Sequence, residues 1–198
     1  EIGRAVVLGG SYSEAREQME RAGLPMHTQS MVRAAVELGS KGLELREQSL
    51  GAARTQPLPK SSSLQGKVVR ISLDGGRART RTTQRGPGFR PGVNGRRPFE
   101  LDWREPRVLT LDVLDKDGKR ERGKPIVYEV TLGDAAETMD LLVGTLRLLG
   151  VCHARLVLFV SDGATWIWHR IASALDAAGV APERRRLVLD YYHAAEHI

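Results

Sequence analysis

The stretch "RLVLFVSD", residues 155–162, constrains the fold of this chain more than any other. It is nearly all apolar, as expected of a central strand covered on both faces, and it ends in Asp162 with Gly163 just behind. A carboxylate at the end of a buried strand is costly to place, so it either caps the next helix or does chemistry. The flanking segments have helical spacing. "DAAETMDLLVGTLRLLG", 134–150, repeats apolar residues at Met139, Leu142, Val143, Leu146 and Leu149, and "ATWIWHRIASALDAAG" follows the strand.

Other strands surround this one. "KVVRISLD", 67–74, alternates Val69, Ile71 and Leu73 with Val68, Arg70 and Ser72, and ends at Asp74 before Gly75 and Gly76. "RVLTLDVLD", 107–115, and "KPIVYEVTL", 124–132, flank the turn-forming "KDGKRERG" and predict an antiparallel hairpin. "RRRLVLD", 184–190, is the last strand, and the start of one more helix follows it. The order is strand-strand-strand-helix-strand-helix-strand-helix. With right-handed crossovers it gives an α/β fold with a ribonuclease-H-like mixed sheet, in which the ends of the first and fourth strands, Asp74 and Asp162, are neighbours.

Upstream the pattern is different. Residues 11–50 have helical spacing, with Ala15, Met19 and Ala22 on one face and Met31, Ala35 and Leu38 on another. Ser11 and Glu14 have capping-box spacing, and "AGLPMHT" breaks the pattern. Two short helices about a tight turn suggest a helix-turn-helix, and a plain helical hairpin has the same spacing. The Pro- and Ser-containing "ARTQPLPKSSSLQG" is a linker by composition. The expected organisation is a helical DNA-binding-like region at 1–52, a linker at 53–66 and a catalytic domain at 67–198.

Charge and composition narrow the partner. The net charge of +6 favours a polyanion, and no run of the ~18 apolar residues a membrane span needs is present. Between Gly75 and Phe99 lie Arg77, Arg79, Arg81, Arg85, Arg90, Arg96 and Arg97 with no acid, a pattern that a merely solvated loop can have and that favours a loop whose surface holds DNA phosphates. The single cysteine, Cys152, excludes an internal disulfide and a zinc site built on several thiolates, and fits a reducing compartment such as the cytoplasm.

Two acids at neighbouring strand ends are what a pair of divalent ions needs. Magnesium prefers oxygen ligands, and two ions about 3.5–4 Å apart activate an attacking hydroxyl and stabilise the leaving oxygen of a phosphodiester. Each acid also has a purely structural reading: Asp74-Gly75-Gly76 as a turn, Asp162-Gly163-Ala164 as a helix cap. Their occurrence together, at ends that the strand order makes adjacent, favours the metal site. Trp166 and Trp168 cannot share one helix face; one in the core and the other at a stacking or partner surface is one reading, and core packing is the default expectation. Trp103 and Arg104 either help position DNA or open a strand.

The strings "ISLDGGRARTR", "DWREPRVL", "VSDGATWIW" and "LDYYHAAEHI", in that order, resemble insertion-sequence transposases of the DDE class, in the group of bacterial elements related to the Mutator-like transposases. The resemblance covers most of 67–198. It implies Asp74 and Asp162 as catalytic, metal-binding acids, two Mg2+ or Mn2+ ions as cofactors, and an Asp-x-x-His motif at Asp190 and His193 near the site. It also implies DNA partners (the element's terminal repeats and a target), a homo-oligomer on DNA, no membrane partner, and a cytoplasmic, nucleoid-associated location.

The family's third acid, a Glu in a Gly-Ser-Gly-x-x-Glu-Ser-like segment, is not matched, so it is expected beyond Ile198 in a longer protein of which this chain is a fragment. Glu196, 34 positions after Asp162, is a secondary candidate because transposases without the helical insertion have a similar spacing. The alternatives are a structure-selective nuclease or resolvase on the same fold, which would cut without joining, and a catalytically dead DNA-binding remnant.

Overall fold

The computed structural model describes residues 2–8, 10–82 and 100–191, and the chain divides into two compact units, Glu1–Ala52 and Ala53–Ile198. The first unit is helical. It contains α1 (Ile2–Leu8), α2 (Tyr12–Arg21) and most of α3 (Thr28–Thr55). Ser11 caps α2: its hydroxyl accepts the Glu14 N–H at 3.2 Å while Glu14 accepts the Gly10 N–H at 2.6 Å. Ala5, Ala15, Met19 and Met31 form a small core, with Val6 and Met26 against it.

The second helix after the turn is not short. α3 runs for 28 residues, through Gly39, Gly42 and Gly51, and stops just before Pro57. Single glycines each weaken a helix by about 1 kcal/mol without ending it, whereas a proline ends it. Leu38, placed by its spacing on an apolar face, is 54% exposed.

The second unit is a mixed sheet with helices. Its strands are β1 (Val68–Gly75), β4 (Arg107–Leu114), β5 (Val127–Thr131), β6 (Leu156–Ser161) and β7 (Arg185–Leu189), in the order β5-β4-β1-β6-β7. β1 pairs with β4 and β4 with β5 antiparallel, whereas β1 with β6 and β6 with β7 are parallel. β4 is therefore the one reversed strand of this sheet. Between β1 and β4, β2 (Ala78–Thr82) and β3 (Glu100–Arg104) form a separate two-stranded antiparallel ribbon. The arginine-rich segment, expected as a loop, is thus in part a ribbon.

One face of the sheet carries the core. Val69, Ile71 and Leu73 align with Val113, Leu111 and Leu109 on one side and with Val157, Phe159 and Ser161 on the other. Helices α4 (Ala135–Leu149), α5 (Thr165–Trp168) and α6 (Ile171–Ala177) cover this face through Met139, Leu142, Leu146, Ile167, Ile171 and Leu175. The expectation that β6 is covered on both faces is corrected: Leu156, Leu158 and Val160 alternate with its buried residues and keep partial exposure. On the same face, Tyr128 and Val130 of β5 are exposed.

The helix expected over 164–179 is broken. After Trp168 the backbone switches to a tighter turn, with the Arg170 N–H on the Ile167 carbonyl, before α6 resumes. The Pro- and Ser-containing stretch after α3 lies on the second unit. Ser62 Oγ donates to the Leu149 carbonyl at 2.7 Å, His153 Nε2 meets the Pro59 carbonyl at 2.6 Å, and Leu64 is buried in the core. Gly150, which ends α4 at φ 67°, has Ser62 so close that an added Cβ would lie 2.6 Å from it. Among the described residues no helix is long and apolar enough to cross a membrane.

α4 starts with a full capping box. Asp134 accepts from the Ala136 and Glu137 N–H groups at 2.8 and 2.9 Å, and Glu137 accepts the Asp134 N–H at 2.9 Å. The bonds from Glu137 and Ala136 hold the Asp134 carboxyl below its usual range, and the charges of Arg107 and Arg170 act in the same direction. A carboxyl depressed by folding stabilises the fold above its unfolded pKa, about 3.9, and that stabilisation disappears as pH falls through the folded value. The melting-temperature gap between the wild type and Asp134→Ala is therefore expected to be open at neutral pH and to shrink in acid. Thermal melts of both proteins across the carboxylate range check this, and a gap constant with pH would refute it.

Candidate active site

The parallel pairing of β1 with β6 sets the geometry. Their last paired residues are Leu73 and Ser161, and the next residues along each strand are Asp74 and Asp162. At the usual strand spacing of about 4.8 Å the two acids leave the sheet side by side. Ser161 is buried, and its hydroxyl donates to the Leu73 carbonyl at 2.6 Å, tying the two strand ends together. β7 reaches the same level: Leu189 pairs with Ser161, and the Asp190 N–H donates to the Ser161 carbonyl at 2.8 Å. Asp74, next to last in β1, and Asp162 and Asp190, just past β6 and β7, thus stand at the same end of three adjacent strands.

The local chemistry of the acids differs. Asp74 is exposed, and its backbone still pairs with Val108, so β1 runs one residue past it to Gly75. Asp162 is half-buried: Oδ1 accepts the Ala164 N–H at 3.0 Å, and its carbonyl accepts Trp168 Nε1 at 2.7 Å. Both its structural and its chemical readings therefore have a geometric basis, since one oxygen closes the turn before α5. Oδ2 has no hydrogen-bond partner among the described residues.

Among the described residues no group of three or more His, Cys, Asp or Glu is placed to hold a metal ion. The donor set at the strand ends is a pair of hard oxygen ligands. Such a pair fits magnesium, which binds through one or two carboxylates and fills its other positions with water and substrate phosphate.

Both tryptophans are engaged. Trp168 meets Phe159 edge-on, with ring centroids 6.3 Å apart, and Trp166 packs on the core with Arg107 4.8 Å above its ring. Both therefore follow the core-packing default rather than the division between core and outer surface.

Arg107 is the residue that sequence reasoning missed. Only 13% exposed, it pairs with Glu105 at 3.3 Å and donates to the Gly133 carbonyl, while its buried Nε lacks a hydrogen-bond partner. It lies opposite Gly75, next to Asp74. The "REPR" string was its only trace in the sequence. On the other face, Arg70 grips both oxygens of the buried Asp112 at 3.1 and 2.6 Å.

The expected DNA-contacting arginines are placed in part. Arg77 and Arg79 are exposed beside the end of β1, and Arg81 belongs to β2. Arg85, Arg90, Arg96 and Arg97 lie outside the described residues, as do His193 and Glu196.

No protein-family model, no curated protein and no solved structure matches the chain.

The clamp between the two strand ends is open to test. Ser161→Ala removes the donor to the buried Leu73 carbonyl and is expected to cost about 1–3 kcal/mol of stability. Urea unfolding of the two proteins measures it, and a variant as stable as the wild type would show that the clamp contributes nothing.

Proposed function

We propose that the protein is a DNA transposase that cuts DNA strands at the ends of an insertion sequence and joins them to a target, with Asp74 and Asp162 as its catalytic carboxylates. The observation that carries the reading is the in-register pairing of β1 with β6, which sets at one sheet edge two acids far apart in sequence. The order β5-β4-β1-β6-β7, with β4 alone reversed, supports a ribonuclease-H-like arrangement of the catalytic domain. The four strings that resemble the DDE transposases support the choice of reaction.

Asp74 and Asp162 would hold two Mg2+ or Mn2+ ions, which supply activation of the attacking hydroxyl and neutralisation of charge at the phosphodiester. The chain's own contribution is position. The Ser161 hydroxyl fixes the spacing of the two strand ends, and the Ala164 N–H and Trp168 Nε1 fix the turn that carries Asp162. Asp190, bonded through its backbone to Ser161, aligns the start of the following segment with the site, where His193 belongs to the same motif. Arg77, Arg79 and Arg81 follow Asp74 closely and hold phosphates of the bound DNA. The reaction needs no covalent enzyme intermediate, because alignment and charge neutralisation lower the barrier to in-line displacement. The DNA partners are the element's terminal repeats and the target, bound by a homo-oligomer.

The test uses the protein expressed from its natural reading frame, with labelled DNA that carries the element's ends and magnesium. Asp74→Asn and Asp162→Asn are each expected to abolish cleavage while DNA binding persists. Full cleavage by Asp162→Asn overturns the assignment. Joined products distinguish a transposase from a resolvase, which would release cut strands only.

A further inference from the structure

The β2–β3 ribbon has a feature that holding phosphates does not require. Arg79 and Trp103 face each other across it in register, and the guanidinium carbon lies 5.2 Å from the centre of the indole ring. Trp103 is nevertheless 59% exposed. An indole that served only to pack would be covered, whereas this one is steadied by a cation and still largely open to solvent.

The two faces of the ribbon differ in charge. Thr80 and Asp102, the next pair, belong to the other face, where Thr80 Oγ1 donates to the Asp102 carbonyl at 3.1 Å and Arg104 Nε pairs with the Asp102 carboxylate at 2.7 Å. That face neutralises its own charge. On the Trp103 face, Arg79 has no carboxylate partner among the described residues. A cation alone would take a phosphate, and an exposed ring alone would take any apolar surface. The two together suit a flat π system attached to a phosphate, which is a nucleotide. In a duplex the faces of a base are covered by its neighbours, so the nucleotide that fits is an unpaired one.

The ribbon grows directly out of the site. Beyond Gly75 and Arg107, the last pair of β1 and β4, the Gly76 N–H donates to the Pro106 carbonyl at 3.0 Å, and pairing resumes at Ala78 and Arg104. Arg79 is five residues from Asp74, so the stack lies within about 17 Å of that acid along the strand, at roughly 3.3 Å per residue.

We infer that Arg79 and Trp103 form a stacking platform for an unpaired nucleotide of the DNA substrate, a few nucleotides from the strand being cut. The inference rests on the reading of the protein as a DNA strand-cleaving enzyme. It narrows the substrate to DNA whose end is frayed or single-stranded beside the scissile position.

The experiment measures binding of the whole protein to a fluorescent single-stranded oligonucleotide and to a blunt duplex of the same sequence. A third DNA carries a short unpaired end with 2-aminopurine at successive positions. Trp103→Ala is expected to weaken the single-stranded and frayed DNAs roughly five- to 150-fold, the range stacking of one base carries, and to leave the blunt duplex nearly unchanged. Trp103→Phe is expected to retain most of the binding, and 2-aminopurine quenching at one position is expected to disappear in Trp103→Ala alone. Arg79→Lys, which keeps the charge but loses the planar group, is expected to resemble a partial Trp103→Ala. Equal losses on all three DNAs, or no loss on any, overturn the platform. No binding of any DNA by the wild type overturns it as well. If Trp103→Ala fails to discriminate while Asp162→Asn abolishes cleavage, the platform falls and the transposase reading stands. If Asp162→Asn still cuts, the transposase reading falls whatever Trp103 does.

Discussion

The parallel register of β1 against β6 is the constraint on which the placement of the two strand-end acids depends. Strands that run the same way cannot be joined by a tight hairpin, so the chain must leave the sheet and return through a crossover. The β4–β5 hairpin and α4 make that journey. A slip of one residue would turn Val157 and Phe159 out of the core, so burial of those side chains against Val69 and Ile71 fixes the register. The same alignment decides which residues emerge together at the strand ends. The apolar packing below thereby determines the position of the acids above, and the Ser161 hydroxyl fastens the last step.

Several acids of the second unit are committed to structure. Asp112 is held by both arms of the Arg70 guanidinium, Glu105 pairs with Arg107, and Asp134 is occupied by the first N–H groups of α4. Asp162 spends one carboxylate oxygen on its turn. Arg107 is drawn in three directions, by Glu105, the Gly133 carbonyl and the Trp166 ring, and so links the beginning of β4, the beginning of α4 and the segment that follows Asp162.

The five strands of the main sheet and α4 were legible because their patterns are local. Alternation in 67–74 and 107–115, turn residues around Gly118, and an Asp and a Gly at the two ends of α4 all signal their own structure. Asp74 and Asp162 were legible as acids at strand ends, and the topology that joins them followed from element order. The remaining features have tertiary causes. Residues 77–82 alternate arginine with alanine or threonine and carry no apolar face, so strand periodicity is invisible there and backbone pairing alone defines the ribbon. Nothing between Trp168 and Ile171 breaks a helix by composition, and the Trp168 bond to the Asp162 carbonyl spans a turn that a sequence pattern does not encode. β6 reads as apolar on both sides, yet shielding by neighbouring strands and covering by helices look the same in one dimension.

The ribbon and the β1–β4 pair are one antiparallel ladder interrupted only at Gly76 and Arg77, and Asp74 lies just before the interruption. A twisted two-stranded ladder resists stretching far more than bending. The cross-links lapse at Arg77, just past a diglycine whose backbone yields readily, so the ladder bends there most easily. The Ser161 bond to the Leu73 carbonyl lies on the other side of that hinge, so the spacing of Asp74 and Asp162 is set apart from the ribbon's bending.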